Sequence, residues 1–246
     1  ICIIGIPLAV GDLLLNCAVV IQSGQVMGII PKTYLPNYSE FYEKRWFSSA
    51  QDLRPAEVRI AGNMIRISSE PTLFRTSDGV LFGVEICEDV WAPTPPSNHL
   101  ALAGAEIIFN LSASDELTGK HNYLMSLLQQ QSARTITGYV YASAGFGEST
   151  QDVVYGGNAI ICENGSVIAK GQRFAMSEQL VTAQIDIEKL RGDRRSNTTF
   201  TNAQRRMATE KINIIDMHSA CQRDFVLERE IDPTPFIPKS GEMKEK

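Results

Sequence analysis

Cys87 stands in the run Gly83-Val84-Glu85-Ile86-Cys87-Glu88-Asp89-Val90-Trp91. An apolar strand over residues 80–86 delivers it to a short acidic turn, and a helix-compatible stretch opens at Ser97. α/β enzymes place nucleophiles at such a strand end, just before a turn and a helix. Only the thiolate attacks carbonyls well, so a base or a cation must ionise it. Taken alone, the same residue reads as a small buried hydrophobe. The segment Pro31-Lys32-Thr33-Tyr34-Leu35-Pro36-Asn37-Tyr38-Ser39-Glu40-Phe41 shifts that balance. Lys32 follows an apolar strand over 26–30, as Cys87 follows its own. Both are expected where parallel strands end, the usual place for sites in α/β sheets. A lysine beside a cysteine lowers the thiol pKa and can hold the oxyanion formed when a thiolate attacks an amide. Alone, Lys32 reads as a solvated lysine after a strand.

The elements that must position these groups follow from periodicity. The run 1–8 is continuously apolar and reads as a doubly covered central strand. Strands over 13–21 and 25–30 flank Ser23-Gly24, a hairpin signal. Residues 33–50 are aromatic, charged and aperiodic, and read as a loop. Short strands are expected at 64–68 and 72–75. A helix follows at 97–103, a strand at 106–111, and the longest helix at 119–135. Strands at 138–144, 158–162 and 166–169 follow, the last two flanking Glu163-Asn164-Gly165. The last expected strand is 181–187. Strands alternating with helices, plus hairpins, give an α/β class with mixed sheets.

A chain of 246 residues, 43% of them hydrophobic, can bury one large core. The formal charge of −5 and the lack of a long Lys/Arg cluster argue against a nucleic-acid surface. Cys2, Cys17, Cys87, Cys162 and Cys221 are odd in number and widely spaced, which points to neither a disulfide framework nor a zinc knuckle. His99, His121 and His218 are scattered, so no metal site is expected. The first apolar run is broken by Pro7 and too short to span a membrane, and no charged start marks a signal peptide. The cytosol fits this set. The opening at Ile1, already inside a strand, is read as the loss of an N-terminal portion.

At this point the residues carry a resemblance. Lys-x-x-Leu-Pro-x-Tyr-x-Glu-Phe at 32–41, followed by Glu-x-Cys-Glu-Asp-x-Trp at 85–91, resembles the nitrilase/amidase (carbon-nitrogen hydrolase) superfamily. Within it, the match is to the glutaminase domain of glutamine-dependent NAD+ synthetase. Asn110-Leu111-Ser112-Ala113-Ser114, Gly147-Glu148-Ser149-Thr150, Gly156-Gly157-Asn158 and Asp193-Arg194-Arg195-Ser196-Asn197-Thr198-Thr199-Phe200 agree. The Pro-Phe-Ile-Pro run of 235–238 resembles the linker before the synthetase domain.

The resemblance implies a nitrilase-like α-β-β-α sandwich over 1–192, and over 193–246 an extended tail towards a synthetase domain. It implies a Glu-Lys-Cys triad. Cys87 is then the nucleophile and Lys32 the stabiliser of oxyanion and thiolate, with the Glu88 N–H completing the oxyanion hole. The general-base Glu would lie before the strand that Ile1 begins, and nothing in this sequence matches it. Glu40 would be the second, positioning carboxylate. Tyr38, Ser114, Lys120 and Glu88 would bind the substrate, L-glutamine. Lys120 departs from the arginine often found there, and so loses bidentate geometry. The resemblance implies no cofactor and no metal in this domain. ATP and Mg2+ would act in the synthetase domain of the same chain, within a homo-oligomer. Gly145-Phe146-Gly147 is not read as a phosphate loop. Glu88 and Asp89 are read as solvated or capping carboxylates, not a metal pair. Two other readings stay open: a stand-alone amidase or carbamoylase of the same superfamily, and a non-catalytic interaction module.

Overall fold

The computed structural model describes residues 1–148, 153–207, 211–218, 226–234 and 237. Ser23 and Gly24 take the left-handed backbone that a tight hairpin turn needs, with φ of 49° and 78°. They join β2 (Leu13–Gln22) to β3 (Gln25–Pro31), and β1 (Cys2–Val10) pairs antiparallel with β2. Side chains on β2 alternate. Leu15, Cys17 and Val19 pack with the hairpin of β4 (Ala56–Ile60) and β5 (Asn63–Ile67), whereas Ala18 and Val20 face the main sheet.

The first apolar run is therefore not a doubly covered central strand. It is the outer strand of a three-stranded antiparallel sheet, and Ile1 and Ile4 are 55% and 45% exposed. An Ile-rich run reads the same whether one face or both are covered, so periodicity alone did not separate the two.

The main sheet has the order β11-β10-β9-β8-β7-β6-β12. Its strands are β6 (Thr72–Arg75), β7 (Leu81–Ile86), β8 (Ile107–Ser112), β9 (Gly138–Ser143), β10 (Ala159–Glu163), β11 (Ser166–Lys170) and β12 (Asn213–Asp216). The centre, β7-β8-β9, is parallel, and the crossovers are α1 (Pro96–Leu102) and α2 (Lys120–Thr135). Leu100 of α1 and Leu124 and Leu128 of α2 cover one face, over Leu73, Ile108, Tyr139 and Ile160. The other face presents Phe74, Phe82, Val84 and Ile86 to the small sheet. The two sheets approach so closely that a Cβ on Gly28 would lie 2.7 Å from the Phe74 ring. The layers are helices, mixed sheet, small sheet and hairpin β4–β5. The expected α/β class and the packing of two sheets under a helical layer are present, with the seven-stranded sheet mixed and the small sheet antiparallel, and the hairpin β4–β5 covers the small sheet on its far side.

The C-terminal part differs from expectation. Residues 181–187 form no strand. Asp186 instead caps α3 (Ile187–Ser196) by accepting from the Lys189 N–H at 2.9 Å, while Ile185 and Ile187 pack into a small core with Leu190 and Phe200. Alternating apolar residues served as pegs for a helix. The boundary expected at 192/193 falls inside α3, and α4 (Thr198–Met207) and β12 follow it on the same body. Arg229 reaches back to buried Glu163 with two hydrogen bonds, at 2.7 and 2.8 Å. Ser149, Thr150, Cys221, Pro235, Phe236 and residues 238–246 lie outside the described residues.

Arg194 explains why α3 is bound so firmly. Its guanidinium is buried and donates to the carbonyls of Thr135 (3.1 Å), Ile136 (3.0 Å) and Ala105 (2.6 Å). Those oxygens close α2 and the turn after α1, where carbonyls have no partner within the helix and the helix dipole favours a cation. Phe200 lies against the same guanidinium at 4.9 Å. Arg194→Met keeps the apolar stem and orphans these carbonyls at about 1–3 kcal/mol each. We expect the urea unfolding midpoint to fall by an amount equivalent to more than about 2 kcal/mol. An unchanged midpoint would show that α3 is a detachable tail.

Candidate active site

Strand β7 ends at Ile86, and the chain then folds through Cys87 into a single 3-10 turn, Cys87–Trp91. Cys87 has φ 47°. That left-handed conformation costs a non-glycine residue on the order of 1–3 kcal/mol, and it persists only where neighbours enforce it. The result is a thiol at the carboxyl end of a parallel strand, beside the end of β8.

Lys32 arrives from the other sheet. It follows β3, which is antiparallel, so the expectation that both residues leave parallel strands holds only for Cys87. The Lys32 side chain is 3% exposed and its Nζ lies 2.5 Å from Glu43 Oε2. The second Glu43 oxygen accepts from Asn16 Nδ2 at 2.7 Å. The carboxylate on Lys32 is thus Glu43 and not Glu40. The reason is local. Ser39 has φ 48°, the Phe41 N–H bonds the Tyr38 carbonyl, and the Glu43 N–H bonds the Pro36 carbonyl. These turns fold the loop back, so that Glu43 returns over Lys32. Glu40 lines the same cavity.

Asp89 joins the two halves of the site. It is 1% exposed. One oxygen accepts from the Thr33 N–H (3.2 Å) and the Tyr34 N–H (2.8 Å), the other from the Ile86 N–H (2.9 Å). The capping reading of Asp89 was right in kind, but its reach to the Lys32 loop lay beyond a local reading. Burial and the neighbouring Glu85 charge push its carboxyl up to about 7.

Between the loops opens a cleft of about 900 Å³, lined by Lys32, Glu43, Cys87, Ser112, Asp115 and Tyr155 among others. Burial raises the Cys87 pKa, and Glu43 adds to the rise. Lys32, the Ala113 N–H and the Ser112 hydroxyl oppose it without reversing it. The resting group is therefore a thiol held beside a cation, and it needs a proton acceptor to react. Tyr38 donates to Glu88 Oε1 at 2.8 Å. Half-buried Glu88 has its pKa raised by burial, which Tyr38, Lys32 and Lys120 partly offset. Lys120 forms an ion pair with buried Asp115, and its Nζ lies 5.3 Å from the Phe41 ring and 5.7 Å from that of Trp91. Ser114 is buried, and its N–H donates to Ser143 Oγ at 3.3 Å. Cys87, Lys32, Glu40, Tyr38, Glu88, Ser114 and Lys120 thus lie in or around one cleft. Glu43, Asn16 and Asp115 were missed. Glu43 sits in the charged run Glu43-Lys44-Arg45, which reads as surface.

A family model described as carbon-nitrogen hydrolase matches residues 1–195. The glutamine-dependent NAD(+) synthetase of Mycobacterium tuberculosis (strain ATCC 25618 / H37Rv) is 39% identical over 241 residues, 96% of this chain and 35% of that protein. The human protein of the same name is 29% identical over 233 residues, 92% of this chain and 33% of its own. The chain thus spans about a third of the length of these curated relatives. Among solved structures, a glutamine-dependent NAD(+) synthetase from Cytophaga hutchinsonii superposes with TM-score 0.63 at 25% identity, covering 73% of this chain and 29% of that one. A carbon-nitrogen hydrolase from Helicobacter pylori G27 gives 0.62 at 21% identity, over 78% of this chain and 64% of that one, a likeness of fold.

Asp89 has a measurable signature. Its carboxyl titrates near 7 in the folded protein against an ordinary 3.8, so the folded state holds the proton more tightly. The stability this supplies is full below the ordinary value and is lost as pH rises through about 7. Asp89→Asn cannot ionise, and its amide NH2 meets a backbone N–H. We expect it to cost roughly 1–3 kcal/mol at low pH. We also expect urea midpoints that fall less steeply than the parent's between about pH 4 and 7. An equally steep fall in both proteins would assign the pH dependence elsewhere.

Proposed function

The chain belongs to the carbon-nitrogen hydrolase family, and from that premise we propose that it hydrolyses the side-chain amide of L-glutamine and supplies the ammonia for NAD+ synthesis. The observation that carries this reading is Lys32 Nζ, buried on Glu43 in the same cleft that Cys87 lines. The relatives' names supply the substrate.

In this reading Cys87 Sγ attacks the amide carbon as its proton passes to a general-base carboxylate. Negative charge gathers on the former carbonyl oxygen, where Lys32 Nζ and the Glu88 N–H stabilise it. The C–N bond breaks, and ammonia departs with the proton returned by the base. A γ-glutamyl thioester remains. Water, deprotonated by the same base, then releases glutamate and restores the thiol. Both oxygens of Glu43 are engaged by Lys32 and Asn16. Glu43 therefore takes the positioning role expected of Glu40, and the base is a different group. Tyr38, Ser114, Lys120 and Glu88 hold the amino-acid end of glutamine. Lys120 offers a point charge instead of a fork to a carboxylate.

The thioester route transfers neither electrons nor phosphate, so this domain is assigned no cofactor and no metal. Phe146 and Gly147 themselves form a turn, and the run Gly145-Phe146-Gly147 is assigned no phosphate-binding role. ATP and Mg2+ are assigned to a synthetase domain of the same polypeptide, which would aminate adenylated deamido-NAD+. A homo-oligomer in the cytosol completes the proposal. Cys2, Cys17, Cys87 and Cys162 are free thiols, which suits a reducing compartment. No described helix is long and apolar enough to cross a membrane.

Cys87→Ala in the full-length protein should abolish glutamine-supported NAD+ synthesis and leave ammonia-supported synthesis intact. Equal loss of both, with folding preserved, refutes the division of labour. Lys32→Met should lower kcat for glutamate release by about 10²–10³-fold while KM changes little, because an oxyanion donor acts mainly in the transition state. Near-normal kcat with a raised KM would reduce Lys32 to a substrate anchor.

A further inference from the structure

Beneath the nucleophile turn lies a buried polar chain that the reaction above leaves unused. Glu85 on β7 and Asn110 on β8 are register partners, and Tyr139 stands on the neighbouring β9. Each is no more than 1% exposed. Glu85 accepts from the Ser97 N–H at 2.8 Å and from the Tyr139 hydroxyl. Tyr139 in turn accepts from Asn110 Nδ2 at 3.2 Å. Asn110 then meets both polar groups of one residue. Its Oδ1 accepts from the Cys87 N–H at 3.2 Å, and its Nδ2 lies 3.5 Å from the Cys87 carbonyl oxygen. Ser112 Oγ also donates to Oδ1, at 2.7 Å.

The polarity of this chain is determined at its far end. The Tyr139 hydroxyl donates to Glu85, which leaves the phenol oxygen as an acceptor. That acceptor selects the NH2 side of the Asn110 amide and turns its oxygen towards the Cys87 N–H. Cys87 is the residue that needs such help, since its φ of 47° is unfavourable for a side chain. A carboxyl, a phenol and an amide in an otherwise apolar layer are costly unless every member is satisfied, and here each one is.

We propose that Asn110, oriented by Tyr139 and Glu85, is the positioning residue that holds Cys87 in its left-handed conformation and aims Sγ into the cleft. This rests on Cys87 being the nucleophile and not on which amide it attacks. Without the clamp the turn relaxes, and Sγ moves away from Lys32, the Ala113 N–H and Ser112, which all favour the thiolate. Glu43, which disfavours it, is held on Lys32 and is left behind with it, so the loss of the Ala113 and Ser112 hydrogen bonds decides the shift.

The test uses Asn110→Ala and Tyr139→Phe in the full-length protein. Two readouts are compared with the parent: the pH profile of Cys87 alkylation by iodoacetamide, followed by peptide mapping, and kcat and KM for glutamine. Asn110→Ala is expected to move the alkylation profile to higher pH. It should lower kcat by about 100-fold, the scale of a misplacement near 1 Å, with KM within about threefold. Tyr139→Phe keeps the buried ring and removes only the hydroxyl, and should shift both readouts in the same direction by a smaller step. It decides the matter if Asn110→Ala does not fold. A folded variant whose alkylation profile and kcat stay within about twofold of the parent overturns the proposal. Alkylation needs no substrate, so it still reports on the clamp in a protein that does not turn over glutamine.

Discussion

Two loops from two different sheets meet at one cleft, and the Asp89 carboxyl ties them together. Apolar faces slide easily over one another, because burial is nearly indifferent to a shift along the strand. Three backbone N–H groups converging on one buried carboxylate are not indifferent. Two come from the Lys32 loop and one from the end of β7. Any slip between the sheets would leave the carboxyl or an amide unpaired out of water. The close contact of Gly28 with Phe74 sets the spacing of the same two sheets, and Asp89 sets their register.

The electrostatics of the cleft follow from that register. Burial works against the thiolate, and so does Glu43; Lys32 and two hydrogen-bond donors favour it. The balance leaves a neutral thiol, a sound resting state for a nucleophile exposed to a cleft. It also divides the work of the lysine. A cation already paired with Glu43 does not ionise Cys87 outright, but in the proposed reaction it would stay fixed where the oxyanion develops and need no reorganisation to stabilise it. The paired carboxylate therefore holds Lys32 in place more than it diminishes it.

Cys87 and Lys32 were legible because each follows an apolar strand, and the motif order added the rest. Most strands and both crossover helices were legible for the same periodic reasons. What escaped depended on contacts distant in sequence. Glu43 returns to Lys32 through turns that no repeat encodes, whereas the motif resemblance pointed to Glu40. The run 181–187 alternates like a strand, yet its isoleucines pack as pegs around α3, since tertiary packing overrides local pattern. The charged stretch after Arg191 resembled a tail because composition does not record where a side chain goes. Arg194 goes inward, to three carbonyls that two other elements leave unpaired.

Arg194, Asp89 and Asn110 share one logic. Each is a buried polar side chain that satisfies backbone groups made available by an interruption in regular structure: a helix end, a strand end, a left-handed turn. None touches the open cleft in the way Cys87 and Lys32 do. The motif around Cys87 therefore mixes two kinds of residue that a sequence alone presents as equals. One kind would perform the proposed chemistry. The other bonds an irregular backbone that apolar packing by itself leaves unpaired.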